Sequence, residues 1–218
     1  MSSLPRRFGV LVPVKPPAFA KSRLAPLGDE VRRALATAFA MDTVAAVLRS
    51  PVVARVLVVT DDHVVARRLG SLGADVVPDG VSEDLNGSLV QGAAELRRRD
   101  PTLLPAVVCA DLPALHPAEL TDVLDACPEE GSAFLADRKE SGTSVLVSAT
   151  HEEFRPSFGP GSRQRHLDLG AVEITLADVP TVRHDVDDAD DLRAAVALGV
   201  GRWTVEVVQR VELAVPTL

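Results

Sequence analysis

Short apolar, β-branched runs alternate with segments of helical period through the first two thirds of this chain. That alternation limits the fold more than any other feature. Phe8 to Val14 reads as a strand buried on both faces, Val56 to Thr60 as a second, Asp75 to Val77 as a short third and Ala106 to Ala110 as a fourth. Between them lie helical patterns. Asp29 is placed to cap a helix carrying Val31, Leu35, Ala38, Phe39, Val44 and Leu48 at a spacing near 3.6. Val64 to Leu72 is a helix ended by Gly73, and Ser82 to Arg99 contains another with Leu85, Leu89 and Ala93 on one face. Pro117 to Ala126 starts with proline, where a missing N–H costs nothing. Strands alternating with helices in this way predict an α/β fold with a mostly parallel sheet covered by helices on both faces.

The rhythm then changes. Ser132 to Ala136 and Ser144 to Ser148 are strands joined by the polar stretch Asp137 to Thr143, which predicts a hairpin insertion. Phe154 to Gly161 holds two prolines and two glycines and reads as a loop, followed by a short helix from Ser162 to Leu169. Ala171 to Leu176 reads as a strand, Ala189 to Leu198 as a helix, and Trp203 to Val211 as a last strand-like piece. Neither repeats nor linkers interrupt the 218 residues, so a single domain spanning 1–218 is expected.

Composition removes several function classes. The net charge is −8, which is wrong for a general nucleic-acid binder, since that needs a basic face to displace counterions. No apolar run reaches the roughly 18 residues of a membrane helix. Arg6 and Arg7 precede an apolar stretch, but Pro13 and Lys15 break it too early for a signal peptide. Cys109 and Cys127 form neither a disulfide framework nor a zinc spacing, which predicts a cytoplasmic protein with reduced thiols.

In an open parallel sheet, ligands sit beyond the carboxyl ends of the strands. Four segments at such positions carry chemistry. The first runs from Lys15 through Lys21 to Arg23 and holds three cations and no acid. It has neither a G-x-G-x-x-G nor a P-loop pattern, so it would clamp phosphates with side chains. Arginine outnumbers lysine 20 to 3 in this chain, and two of the three lysines are here, where a compact point charge suits a phosphate. The second is Asp111, at the tip of a central strand, where a carboxylate is costly unless it binds a partner. The third runs from Arg183 to Leu192. If Val182 to Val186 is extended, Asp185 and Asp187 project to one side and, with Asp111, make an oxygen-rich site for Mg²⁺. Asp188, Asp190 and Asp191 read instead as the opening of a helix. The fourth joins Ser141-Gly142-Thr143 to the run from Ser157 to His166, whose glycines and Ser162 at a helix start suit an anion, with Arg163 and Arg165 adding charge. Cys109 reads as core, and His184 as either a neighbour of the aspartates or a surface residue. The five histidines show no metal or nucleophile pattern.

Taken in order, P-V-K-P, A-K-S-R-L, D-L-P-A-L, G-T-S, F-G-P-G-S and H-D-V-D-x-x-x-D-L resemble the guanylyltransferase family of deazaflavin coenzyme (F-420) biosynthesis, from Phe8 to about Gly199. The family comprises phosphoenolpyruvate and 2-phospho-L-lactate guanylyltransferases. The resemblance implies a Rossmann-like, three-layer nucleotidyltransferase fold and a Mg²⁺-dependent attack of a substrate phosphate on the α-phosphate of GTP. It implies metal ligands at Asp111, Asp185 and Asp187, and GTP-side cations at Lys15, Lys21 and Arg23, with Lys15, Lys21 and Asp111 catalytic. Contacts to the phosphorylated three-carbon acid would come from Thr143, Gly159 and Ser162. The Ala-, Val- and Arg-rich, Lys-poor, Tyr-free composition looks like that of a high-GC bacterium, and because the bacterial members of the family use phosphoenolpyruvate, the resemblance implies that acid. Phospholactate, another metabolite, or a non-catalytic nucleotide-binding role are the alternatives. A product passed to a downstream transferase, and a homodimer, are further expectations.

Overall fold

The strands that begin at Phe8 and Leu104 carry no charged side chain, and they take the central positions that demand this. In the computed structural model, which describes residues 6–80 and 84–214, β1 (Phe8–Pro13) lies between β2 (Val53–Val59) and β4 (Leu104–Val108), parallel to both. β3 (Asp75–Val77) extends the sheet beyond β2. On the other side, β6 (Thr143–Ser148) runs antiparallel to β4 and to β5 (Ser132–Ala136), and β7 (Val172–Glu173) closes the edge. The full order is β3-β2-β1-β4-β6-β5-β7. The hairpin β5–β6 is therefore built into the sheet next to its parallel core.

Alternation along β1 sorts the two helical layers. Val10 and Val12 face a cluster with Val44 of α1 (Asp29–Val47), Leu69 of α2 (His63–Gly70) and Leu120 of α4 (Pro117–Asp125). Leu11 faces the opposite cluster, with Leu89 and Ala93 of α3 (Leu85–Arg99) and with Phe154 and Phe158. Gly9 lets α3 come close, because the Leu96 side chain fills the space a Cβ would need. Downstream lie α5 (Ser162–Asp168), α6 (Pro180–Arg183), α7 (Ala189–Leu198) and α8 (Arg202–Ala214). Among the described residues, no helix is long and apolar enough to cross a membrane.

Three local expectations are corrected. Trp203–Val211 is helical, as part of α8, not a strand. Its β-branched residues favour a strand locally, but Trp203, Val207 and Val208 share a helical face that packs against the apolar clusters beside α1. The start of α8 is held by Asp42 of α1, which accepts from the N–H groups of Trp203 (3.2 Å) and Thr204 (2.8 Å). The residue before α1 is Gly28 at φ 90°, and Asp29 lies inside the first turn, paired with Arg32 and with Arg33 at 2.6 Å. The predicted strand Ala171–Leu176 shrinks to the two-residue β7 at the sheet edge.

Candidate active site

Asp111 follows β4, and Asp185 and Asp187 lie in the segment between α6 and α7. The Val186 N–H donates to the Asp111 carbonyl at 3.0 Å and ties the two segments together. One carboxylate oxygen from each aspartate lies within 4.8 Å of the others. The route differs from the expected one: Pro180–Arg183 is a helical turn, so an extended Val182–Val186 does not set the geometry. Instead Val186 is fully buried between the two acids, and they converge around it. Asp188 caps α7 by accepting from the N–H groups of Asp190 and Asp191.

Lys21 enters this group from the first loop. Its ammonium contacts Asp111 and lies 3.0 Å from Asp187, while Arg23 lies 3.6 Å from Asp187. Burial alone would lower the Lys21 pKa, but the charges of Asp111 and Asp187 outweigh it and raise the value above the usual lysine range. Asp185 has no cationic partner within ion-pair distance among the described residues. Burial, followed by the charges of Asp111, Asp187 and Asp137, pushes its carboxyl up to about 7. A half-buried cluster of three acids, one of them without a cationic partner, suits a hard divalent cation, and an all-carboxylate oxygen set fits Mg²⁺.

Lys21, Arg23, Asp111 and Asp187 open onto a cleft of about 630 Å³ whose wall also includes Lys15 and Pro160 and does not include Asp185. The first loop reaches it without glycines, and Arg32 of α1 supplies the reason. Its buried guanidinium donates to the carbonyls of Pro17 (2.9 Å), Ala18 (3.0 Å) and Ala20, so a side chain holds the bend. Lys21 itself sits in the left-handed region at φ 56°. A larger cleft of about 1030 Å³ lies between α1, α4 and residues 199–203, and none of the three aspartates lines it.

The remaining candidates gather on the other side of β4. Thr143 starts β6 beside the end of β4, where the Cys109 N–H donates to the Ser144 carbonyl at 2.9 Å. Thr143 and Ser162 are buried and stand outside the wall of the cleft, and Gly159 is exposed. Gly159 and Gly161, at φ 121° and 71°, need the conformational freedom of glycine to form the turn that starts α5. Cys109 packs against both apolar clusters and also faces the cleft; burial, then the nearby carboxylates, push its thiol up. His184 is buried and its Nε2 meets the Asp191 carbonyl at 2.9 Å, so it is neither a surface residue nor a partner of the site carboxylates.

Several residues of this region escape a reading of the sequence. Asp137 is buried in the hairpin turn and accepts from the N–H groups of Ser141 and Gly142. Asp191 does more than open α7: it is buried and accepts from Arg138 and Lys139 (2.8 Å each) and from the Asp187 N–H at 3.2 Å. The rarity of lysine held one signal, since Lys139 is the third of three and ends 4.0 Å from Asp187. Arg32 and His166 carry none, because their partners are distant or buried.

His166 has no exposure and its pKa is lowered to about 4, by burial and then by the charge of Arg165. A histidine whose folded pKa lies below its unfolded value of ~6.5 adds stability that is full above that pH and lost as pH falls toward the folded pKa. We expect the denaturant midpoint to fall between pH 6.5 and 4, and to fall less in His166→Phe. An equal fall in both proteins would remove His166 as the cause.

Comparison with known proteins follows the same lines. Residues 8–217 match the family described as Guanylyl transferase CofC like. A phosphoenolpyruvate guanylyltransferase of Streptomyces scabiei is 50% identical over 206 residues, covering 92% of this chain and 95% of the relative. One from Thermomonospora curvata is 45% identical over 203 residues, covering 93% and 89%. Among solved structures, a nucleotidyl transferase from Methanothermobacter superposes with a TM-score of 0.64 at 21% identity, covering 88% of this chain and 97% of that one. A cytidylyltransferase from Leptospira borgpetersenii gives 0.57 at 14% identity, covering 96% and 95%.

Proposed function

Because the chain belongs to the CofC-like guanylyl transferase family and has a nucleotidyltransferase fold, we propose that it transfers GMP from GTP to the phosphate of phosphoenolpyruvate. The observation that carries this reading is the meeting of Asp111, Asp185 and Asp187 with Lys21 beside a cleft lined by Lys15 and Arg23. An oxygen of the acceptor phosphate attacks the GTP α-phosphorus. The bond from that phosphorus to the β-phosphate bridging oxygen breaks, and pyrophosphate leaves. A phosphate monoester has a second pKa of about 6, so at neutral pH it is already a dianion and needs no general base. The chain must instead bring two anions together in line. Lys15, Lys21 and Arg23 hold the triphosphate, and Thr143, Gly159 and Ser162 hold the carboxylate end of the acid. Asp111, Asp185 and Asp187 would hold Mg²⁺, which when bound would supply charge neutralisation for the two anionic substrates.

The relatives named for phosphoenolpyruvate support that acid over phospholactate. The product, enolpyruvyl-diphospho-guanosine, is an activated group donor for a downstream transferase of F-420 biosynthesis in the cytoplasm. A mass-spectrometric assay with GTP, Mg²⁺ and each acid in turn tests the whole reading. Enolpyruvyl-diphospho-guanosine should accumulate with phosphoenolpyruvate. Preferential turnover of phospholactate would overturn the acceptor, and no transfer to either acid would overturn the function.

Ser162→Ala tests the acid site. The Ser162 hydroxyl makes no hydrogen bond to another described residue, so it is available to an anion. Losing one contact to a charged group is worth roughly 1.5–3 kcal/mol, so the KM for the acid should rise about ten- to a hundred-fold with the KM for GTP unchanged. A parental KM for the acid would move it away from Ser162.

A further inference from the structure

His166 lies between the three elements that carry the acid-side residues. It belongs to α5, its Nδ1 is 2.9 Å from the Thr143 hydroxyl of β6, and its Nε2 accepts from the Ser157 N–H at 3.0 Å. Phe158 meets the ring edge-on at 5.3 Å between centroids, and Phe134 lies tilted at 5.5 Å.

The chemistry of these contacts has one solution. A backbone N–H can only donate, so Nε2 must offer its lone pair to Ser157. The ring is then neutral with its proton on Nδ1, and a protonated Nδ1 can only donate. The Thr143 oxygen is therefore the acceptor of that bond, and its own hydrogen is left for another acceptor. Among the described residues, the ring is the sole hydrogen-bond partner of this hydroxyl. With the opposite tautomer, Nδ1 would take the Thr143 hydrogen and the lone pairs of the hydroxyl would face an anion.

We propose that His166 is a positioning residue which sets the Thr143 hydroxyl as a hydrogen-bond donor toward the carboxylate of the bound acid. This rests on the placement of the acid at Thr143 and Ser162 proposed above. The Ser157 N–H is the reference that fixes the ring, so the F-G-P-G-S loop and the hairpin are read by one side chain. The low pKa of His166 keeps that arrangement through the neutral range.

Two measurements test it. The first is a double-variant cycle with Thr143→Val and His166→Phe, whose ring fits the same aromatic surroundings and can neither donate nor accept. Each single variant should raise the KM for phosphoenolpyruvate about ten-fold while leaving the KM for GTP within about two-fold. The double variant should be no worse than the poorer single, because both remove the same contact. Multiplying effects, or equal losses for both substrates, would make His166 merely structural and overturn the proposal. If Thr143→Val alone leaves the KM for the acid unchanged, the placement of the acid falls first and takes this proposal with it. The second needs no substitution. In ¹⁵N-labelled protein at pH 7.5, the His166 ring should show a protonated Nδ1 and an unprotonated Nε2. The reverse tautomer would overturn the proposal outright, whatever the kinetics.

Discussion

Asp111→Asn should lower turnover about a thousand-fold or more while leaving the protein folded. Asparagine matches the shape of aspartate and lacks its charge, so the substitution removes one of the proposed cation ligands and little packing. A bound metal contributes several kcal/mol of charge stabilisation, and each 1.36 kcal/mol is a factor of ten in rate. The fold should tolerate the change because Lys21 keeps Asp187, and Asp185 loses one of the negative neighbours that push its carboxyl up. Pyrophosphate release gives the rate, and a thermal melt reports the fold. Chelation should silence the parent enzyme, and added Mg²⁺ should restore it. Near-parental activity of the variant, or full activity in chelator, would remove the aspartates from metal binding.

Lys21→Ala should cost about a hundred-fold in kcat/KM for GTP and little in the KM for the acid. A hydrogen bond to a charged group is worth roughly 1.5–3 kcal/mol, and the upper end applies to a side chain this well buried. The backbone should not suffer from the exchange itself, since alanine and lysine share the same penalty at φ 56°. Lys15→Ala should act in the same direction and less strongly, because Lys15 is exposed. Steady-state kinetics with each substrate varied in turn separates the cases. Equal losses for both substrates would move Lys21 away from the triphosphate.

The core of the parallel half of the sheet, β1 and β4, is legible in the sequence because these strands are buried and read as unbroken apolar runs. Asp111 is legible because it ends such a run, and Asp185 and Asp187 because they stand out from acids that open a helix. The other parts depend on contacts remote in sequence. The β-branched Trp203–Val211 favours a strand locally, and its helix depends on packing against the apolar clusters beside α1 and on Asp42, far back in α1, which receives its first N–H groups. The convergence of Asp185 with Asp187 is legible as an outcome, but its cause, Val186 buried on the Asp111 carbonyl, is not. Lys139 becomes a member of the site only when the hairpin brings it against Asp191.

The Arg32 clamp on the first loop has a thermodynamic consequence. Nucleotide-binding loops built on glycine gain freedom of conformation, and a ligand must then order them, which weakens binding by the entropy lost. Here a guanidinium anchored in α1 gathers the carbonyls of Pro17, Ala18 and Ala20 before any ligand arrives, and two prolines stiffen the approach. The ordering is accomplished during folding, so with GTP at this loop, as proposed, the triphosphate would meet a shape already set. Association with the nucleotide should consequently carry a smaller entropic penalty than a flexible loop of equal length would impose.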